Sequence, residues 1–359
     1  MDTSYPFLAS VSRLTVAVVF VYLATLGVVA QPVNVSDTGD LRNVSDDLDG
    51  SYVLVEDIDL SDVSFEPIGD ADRSFIGRFD GNGHVVTNLS VSEEGYAGLF
   101  GAVGENGTVE NVGVENANVS GTGAGGLVGF NAGTVVRSYV TGNVTGDEPV
   151  GGLVGVHRGV VARSYSTADV TGNRTVGGLV GMAHAEPTGI VPGTRPDIEY
   201  AVVESYAAGY VDGDKRVGGV FGLVSLAPTD PRSVNDSVYW DVEATGHEDA
   251  VGAFGTRSNA TPATGLTTSE MTGVAARESM SGFGFGDTWV VNDGYPELAR
   301  RDQPSSVTID RPERVPQDAE EDGNVSDDGD DEAEETPGFT FVVTLVAFAA
   351  VAWGWSYET

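Results

Sequence analysis

No cysteine occurs among the 359 residues. A disulfide framework and a thiolate metal site are therefore both excluded. Lysine is almost absent: Lys215 is the only one, and arginine supplies the rest of the 18 cationic side chains. Against them stand 54 carboxylates, for a formal charge of −36. So acidic a chain repels nucleic acid and anionic lipid surfaces, and nucleic-acid binding is excluded. Self-repulsion also opposes compaction in dilute buffer. At molar salt the screening length falls to about 3 Å and the repulsion disappears. The composition predicts a protein that works in concentrated salt.

Histidine is scarce as well. His84, His157, His184 and His247 are the only four, with no H-E-x-x-H and no pair at metal-ligand spacing. No metal or cofactor is expected. Long apolar runs are confined to the two ends. Leu14–Ala30 is charge-free and follows Arg13, and Ala30–Gln31 offers a small-residue cleavage point. Residues 1–30 read as a secretory signal peptide. At the other end, Asp318–Glu335 carries many carboxylates and no basic residue. This predicts an acidic, disordered stalk over 310–336. Residues 337–359 hold Pro337-Gly338-Phe339 and an apolar stretch, Phe339–Trp355, just long enough for a transmembrane or sorting helix.

Ten N-x-S/T sequons fit export: Asn34, Asn43, Asn88, Asn106, Asn118, Asn143, Asn173, Asn235, Asn259 and Asn324 are candidate N-glycosylation sites.

Glycine, at 49 residues, is what the chain has in excess. It recurs with a period. Gly107-Thr-Val, Gly133-Thr-Val and Gly159-Val-Val are 26 residues apart, as are Gly126, Gly152 and Gly178, each opening G-L-V-G. Arg137-Ser-Tyr and Arg163-Ser-Tyr keep that spacing, and Glu204-Ser-Tyr comes 41 later. The extra residues form an insertion within Met182–Tyr200 that should loop out of one coil. A unit this short cannot hold a four-stranded propeller blade. It suits one coil of a parallel β-solenoid, right-handed by the crossover rule, with short strands joined at glycine corners.

Stacked coils would align Leu99, Leu127, Leu153, Leu179 and Val220 as one interior column. Ser138, Ser164 and Ser205 would form a polar one. Alternation puts Val136, Ser138 and Val140 inside and Arg137 and Tyr139 outside; Ala162, Ser164 and Ser166 are the counterparts inside the next coil. Roughly six coils would rise about 30 Å. The parts are 31–97, an N-terminal cap and first strands; 98–246, the solenoid; and 247–309, a C-terminal cap region. Both flanks are expected to cover the open edges of the coils.

These units resemble the GLUG motif, a short repeat of secreted surface proteins. The flanks resemble its usual neighbours: Ser51–Leu60, Ile68-Gly69 and Phe79–His84 upstream, Tyr239-Trp-Asp241, Gly265–Met271 and Trp289 through Pro296 downstream. The tail resembles the PGF-type sorting signal of haloarchaeal surface proteins, although basic residues after the apolar stretch are missing. The first resemblance implies an extracellular, adhesin-like β-helix with no shared catalytic residue. The second implies an archaeosortase-like processing enzyme as partner and membrane attachment through the C-terminal segment.

Gly121-Thr-Gly-Ala-Gly-Gly126 formally fits G-x-G-x-x-G, but no helix pattern follows, so a nucleotide site is not expected. His157 takes the turn position of Asn131 one coil earlier. Asp57 and Asp59 share a strand face and read as structural. Tyr139, Tyr165 and Tyr206 form an outward column, a candidate surface for stacking on sugar rings; the competing reading is that they stack on one another and stiffen the sheet. The sequence thus points to an exported, membrane-anchored structural or adhesin-like surface protein, not an enzyme. Its expected partners are envelope or surface-layer components and glycans. A secreted β-helix polysaccharide hydrolase or lyase is the alternative.

Overall fold

Residues 26 positions apart become neighbours across parallel strands. Thr134 pairs with Val160, Val128 with Val154 and Asn143 with Asp169. At the insertion the offset widens to 41, as Val160 meets Ala201 and Val170 meets Val211. The computed structural model describes residues 31–184, 200–225, 233–255 and 263–299. They form a parallel β-solenoid of about seven turns, one more than the repeat count suggests. At the usual strand spacing its rise is about 34 Å. Residues 1–30, 185–199 and 310–359, on which the expected signal peptide, insertion loop, stalk, Pro337-Gly338-Phe339 motif and apolar tail fall, lie outside the described residues.

One coil, for example, supplies the strand segments Ala124–Gly125, Val128–Asn131, Thr134–Val136 and Tyr139–Gly146. The expected Leu99, Leu127, Leu153, Leu179 and Val220 column is fully buried. So are the residues that follow, Phe100, Val128, Val154, Val180 and Phe221. The chain bends at each G-L-V-G, so both members of the pair turn inward. Each buried side chain contributes roughly 1.5–3 kcal/mol. The preceding glycine makes close stacking possible. A Cβ on Gly152 would run into the carbonyl of Gly178 in the next coil, and one on Gly178 into that of Gly219.

The inside–outside assignment needs correction. Val135 and Val161 point into the core, while Val136 and Ala162 are only half-buried. Arg137 and Arg163 interrupt the alternation. They adopt left-handed backbone, at φ 52° and 51°, as do Asn111, Glu204 and Ser237 in the same column. A side chain there costs about 1–2 kcal/mol. The serine column offsets this by satisfying the corner's backbone. Ser138 Oγ donates to the Val136 carbonyl at 3.0 Å and accepts from the Val112 amide at 3.4 Å. Ser164 Oγ donates to the Ala162 carbonyl at 2.8 Å and accepts from the Ser138 amide at 3.2 Å. Ser205 repeats the pattern with Val203 and Ser164.

The flanks differ from each other. On the N-terminal side, Asp37 caps a short helix, Thr38–Asn43, by accepting from the Asp40 amide at 2.9 Å. Leu41 and Val44 are fully buried in the solenoid's core. The C-terminal flank departs from the expected edge cover. Its strands Val251–Phe254 and Thr264–Leu266 extend the ladders. The chain then turns back, and residues 267–299 pack along the side of the coils, against the tyrosine column. They build a second core from Met271, Ala276, Met280, Phe283 and Trp289 together with Tyr165, Tyr206 and Tyr239. The physical reason lies in that column: a row of outward aromatic rings is an apolar face that is more stable covered.

Candidate functional site: a cleft beside a tyrosine ladder

The column starts with a gap. Gly113 precedes Tyr139, Tyr165, Tyr206 and Tyr239 in register. A Cβ at Gly113 would overlap the Tyr139 ring, so the glycine makes room for it. The next three rings stack face to face, Tyr139 on Tyr165 and Tyr165 on Tyr206, with centroids 4.9 Å apart and planes 4° apart in both pairs. Coil spacing dictates that distance, since identical side chains repeat once per coil.

The structure corrects the open sugar-stacking surface. Tyr206 is fully buried and Tyr165 is 7% exposed. Trp289 packs on both, 6.0 and 5.8 Å away, and stacks on Phe283 at 4.4 Å. The Tyr206 hydroxyl donates to the Pro296 carbonyl at 2.7 Å, and Tyr295 donates to Asp241 Oδ2 at 2.6 Å. Burial pushes the Tyr165, Tyr206 and Tyr295 phenols well above their ordinary range. Within the ladder only Tyr139 stays half-exposed. The ring faces inside the stack are therefore closed to a ligand.

Beside residues 295–299 a cleft of about 410 Å³ lies between ladder and segment. Gly83, Gly113, Tyr139, Tyr165 and Tyr206, from five successive coils, lie along it; Tyr295, Glu297 and Ala299 form the other wall. Arg137 ties the two walls together. Its Nε donates to Asn111 Oδ1 at 3.0 Å and its Nη2 to the Ala299 carbonyl at 3.0 Å. Tyr139 donates to Glu115 Oε1 at 2.5 Å. After burial, Glu297 and then Glu115 are the next causes of the raised Tyr165 phenol, so both carboxylates act on the same ring. Sequence reasoning found the tyrosines and missed Glu115, Glu297 and the wall itself. The cluster of Phe283, Phe285, Trp289 and Tyr295 was the available signal, because so many aromatics in one flank need an apolar partner.

The other singled-out residues make local contacts. Gly121–Gly126 joins strand Gly113–Gly121 to strand Ala124–Gly125, so no helix begins there. Asp57 accepts from His84 Nδ1 at 2.9 Å and from the Val85 amide at 3.1 Å. Asp59 accepts from Asn88 Nδ2 at 2.8 Å. His157 is fully buried, with Nδ1 3.2 Å from Asn131 Nδ2 and Nε2 3.3 Å from the Ala201 carbonyl.

Among the sequons, Asn34, Asn43, Asn106, Asn118, Asn143 and Asn173 are exposed. Asn88 is half-buried, in left-handed backbone at φ 58°, with its amide committed to Asp59. Asn235 sits in strand Ser233–Asp241; Asn259 and Asn324 lie outside the described residues. Asn118 and Asn143 face each other directly across adjacent coils. Two glycans there would emerge about 5 Å apart. Full modification of only one of the pair is expected by glycopeptide mass spectrometry of the exported chain, and two fully modified asparagines would refute this.

No family model matches the chain. Halomucin of Haloquadratum walsbyi is 35% identical over 140 residues, which cover 34% of this chain. A candidate Gly-rich membrane protein of Evansella cellulosilytica is 35% identical over 117 residues, covering 30%. The chain spans only 2% of the first and 14% of the second. Among solved structures, that of a candidate immunoglobulin A1 protease from Bacteroides ovatus superposes with a TM-score of 0.54 at 20% identity, over 76% of this chain and 93% of that one. At that identity the likeness shows a shared fold alone: the chain is a parallel β-solenoid with sequence relatives in halomucin and in a membrane-protein candidate.

Proposed function

We propose that this is an exported surface protein of a halophilic archaeon, built to display a rigid acidic solenoid on the outside of the cell. The similarity to halomucin carries this reading. The membrane-protein relative, the ten sequons and the charge of −36 support it. In this reading the GLUG-like coils form the displayed rod, and the PGF-type tail hands the chain to an archaeosortase-like enzyme or holds it in the membrane. The solenoid offers a repetitive surface to the cell envelope or to another cell, with structural or adhesive effect.

The test is expression of the full chain in a halophilic archaeal host, followed by envelope fractionation and protease treatment of intact cells. The chain should travel with the envelope and be removed by external protease. Recovery in the cytosolic fraction, protected from protease, would overturn the proposal. One observation favours the alternative of a polysaccharide-active enzyme: Glu115 and Glu297 line one cleft. Release of reducing sugar by the purified chain is the result that would favour it.

A further inference from the structure

The cleft beside the ladder has no part in a purely structural rod. We propose that it binds a neutral oligosaccharide, laid along the solenoid axis between Glu115 on the coils and Glu297 on the covering segment. This deepens the display reading by giving the surface a ligand class.

Its length comes first. Tyr206 is fully buried, so the part open to a ligand runs past four coils, from Gly83 to Tyr165, three strand spacings or about 14 Å. A short glycan segment laid lengthwise matches a slot of this kind. Its chemistry comes second. Glu115, Thr141 and Thr167 on the coil side and Glu297 on the segment side line the space between with oxygen-bearing groups. Carboxylates accept strongly from hydroxyl donors, and these bonds are short and charge-assisted. The half-exposed Tyr139 and Tyr295 add ring surface suited to the apolar face of a sugar.

Other ligand classes fit less well. Phosphate-bearing ligands and uronic-acid chains would meet two carboxylates, and the Arg137 guanidinium is engaged by Asn111 and Ala299. Among the described residues no group of three or more His, Asp or Glu side chains is placed to hold a metal. In concentrated salt, attraction between full charges is screened within about 3 Å, whereas hydrogen bonds to a neutral polyol persist.

The test uses the full chain in molar potassium chloride. Cellotetraose, maltotetraose, laminaritetraose and N-acetylchitotetraose are the neutral probes, with tetragalacturonate and a basic decapeptide as contrasts. Calorimetry should detect at least one neutral tetrasaccharide at about 10 mM or below, the range of weak single-site binding. That affinity should fall roughly tenfold or more in Glu297→Gln and in Glu115→Gln, the loss typical of a charged hydrogen bond. Glu297 is exposed, so Glu297→Gln reports on binding even if Glu115→Gln disturbs Tyr139. The proposal is overturned if no neutral tetrasaccharide binds, if tetragalacturonate or the peptide binds more tightly, or if both variants keep wild-type affinity. Failure here leaves the display reading intact, because that reading rests on where the chain resides in the cell.

Discussion

Tyr206→Ala is expected to lower the stability of the folded unit by about 4 kcal/mol, the usual cost of truncating a large buried aromatic. Tyr206 is fully buried and sits where the two cores meet. One face stacks on Tyr165 at 4.9 Å; Phe283, Trp289 and Tyr295 pack within 6.3, 5.8 and 6.1 Å. Its hydroxyl is also the partner of the Pro296 carbonyl. Removing it opens a cavity and leaves that carbonyl unpaired. The loss should fall on the covering segment first, because the solenoid's own core does not include Tyr206. Thermal melting should drop by about 10 °C for a unit of this size. Trypsin should gain access to Arg277, which lies on a short helix of that segment. Tyr206→Phe keeps the stack and loses one hydrogen bond, so about 1 kcal/mol is expected. An alanine variant with wild-type melting and an uncut Arg277 would show that the segment is held by something other than the ladder.

Acidification is expected to remove about 3 kcal/mol through a single side chain, His157. Burial lowers this imidazole from 6.5 to about 4. The buried ring is neutral, accepting from one coil and donating to another. The unfolded chain takes up its proton near 6.5, while the folded chain resists until about 4. The contribution is therefore complete above pH 6.5, is lost as the pH falls between the two values, and is flat below. Many carboxylates titrate over part of that window, so the informative measurement is a comparison. His157→Asn installs the residue that Asn131 presents one coil earlier at the same register. Urea titrations from pH 7.5 to about 4 should show a shallower fall in the variant. Equal slopes would mean that His157 is protonated in the folded state or is reached by water.

Much of the fold was legible because a solenoid repeats itself. Gly126, Gly152 and Gly178 mark the coil period, and pairing across strands follows the same 26 residues. The leucine and serine columns follow from it. The inner and outer assignment of Val136 and Ala162 was not legible, because the break in alternation falls at Arg137 and Arg163. Arginine seldom adopts left-handed backbone, and nothing local marks it there. The helix at Thr38–Asn43 was missed too: a single turn and a half has no period to read, and only Asp37 with Asp40 hinted at a cap.

The site separates the two kinds of information most sharply. The row of Tyr139, Tyr165 and Tyr206 was determined by the sequence alone, since equal spacing along the chain becomes adjacency once coils stack. Tertiary structure decided what the row faces. Pro296 lies 90 residues from the tyrosine it caps, and Ala299 lies 162 from the arginine that holds it. Neither contact repeats, so no period encodes it. They arise because an outward aromatic face is more stable covered than wet, and residues 267–299 are the aromatic-rich stretch of chain that reaches it. Closing that face also created the cleft, which belongs to neither element by itself.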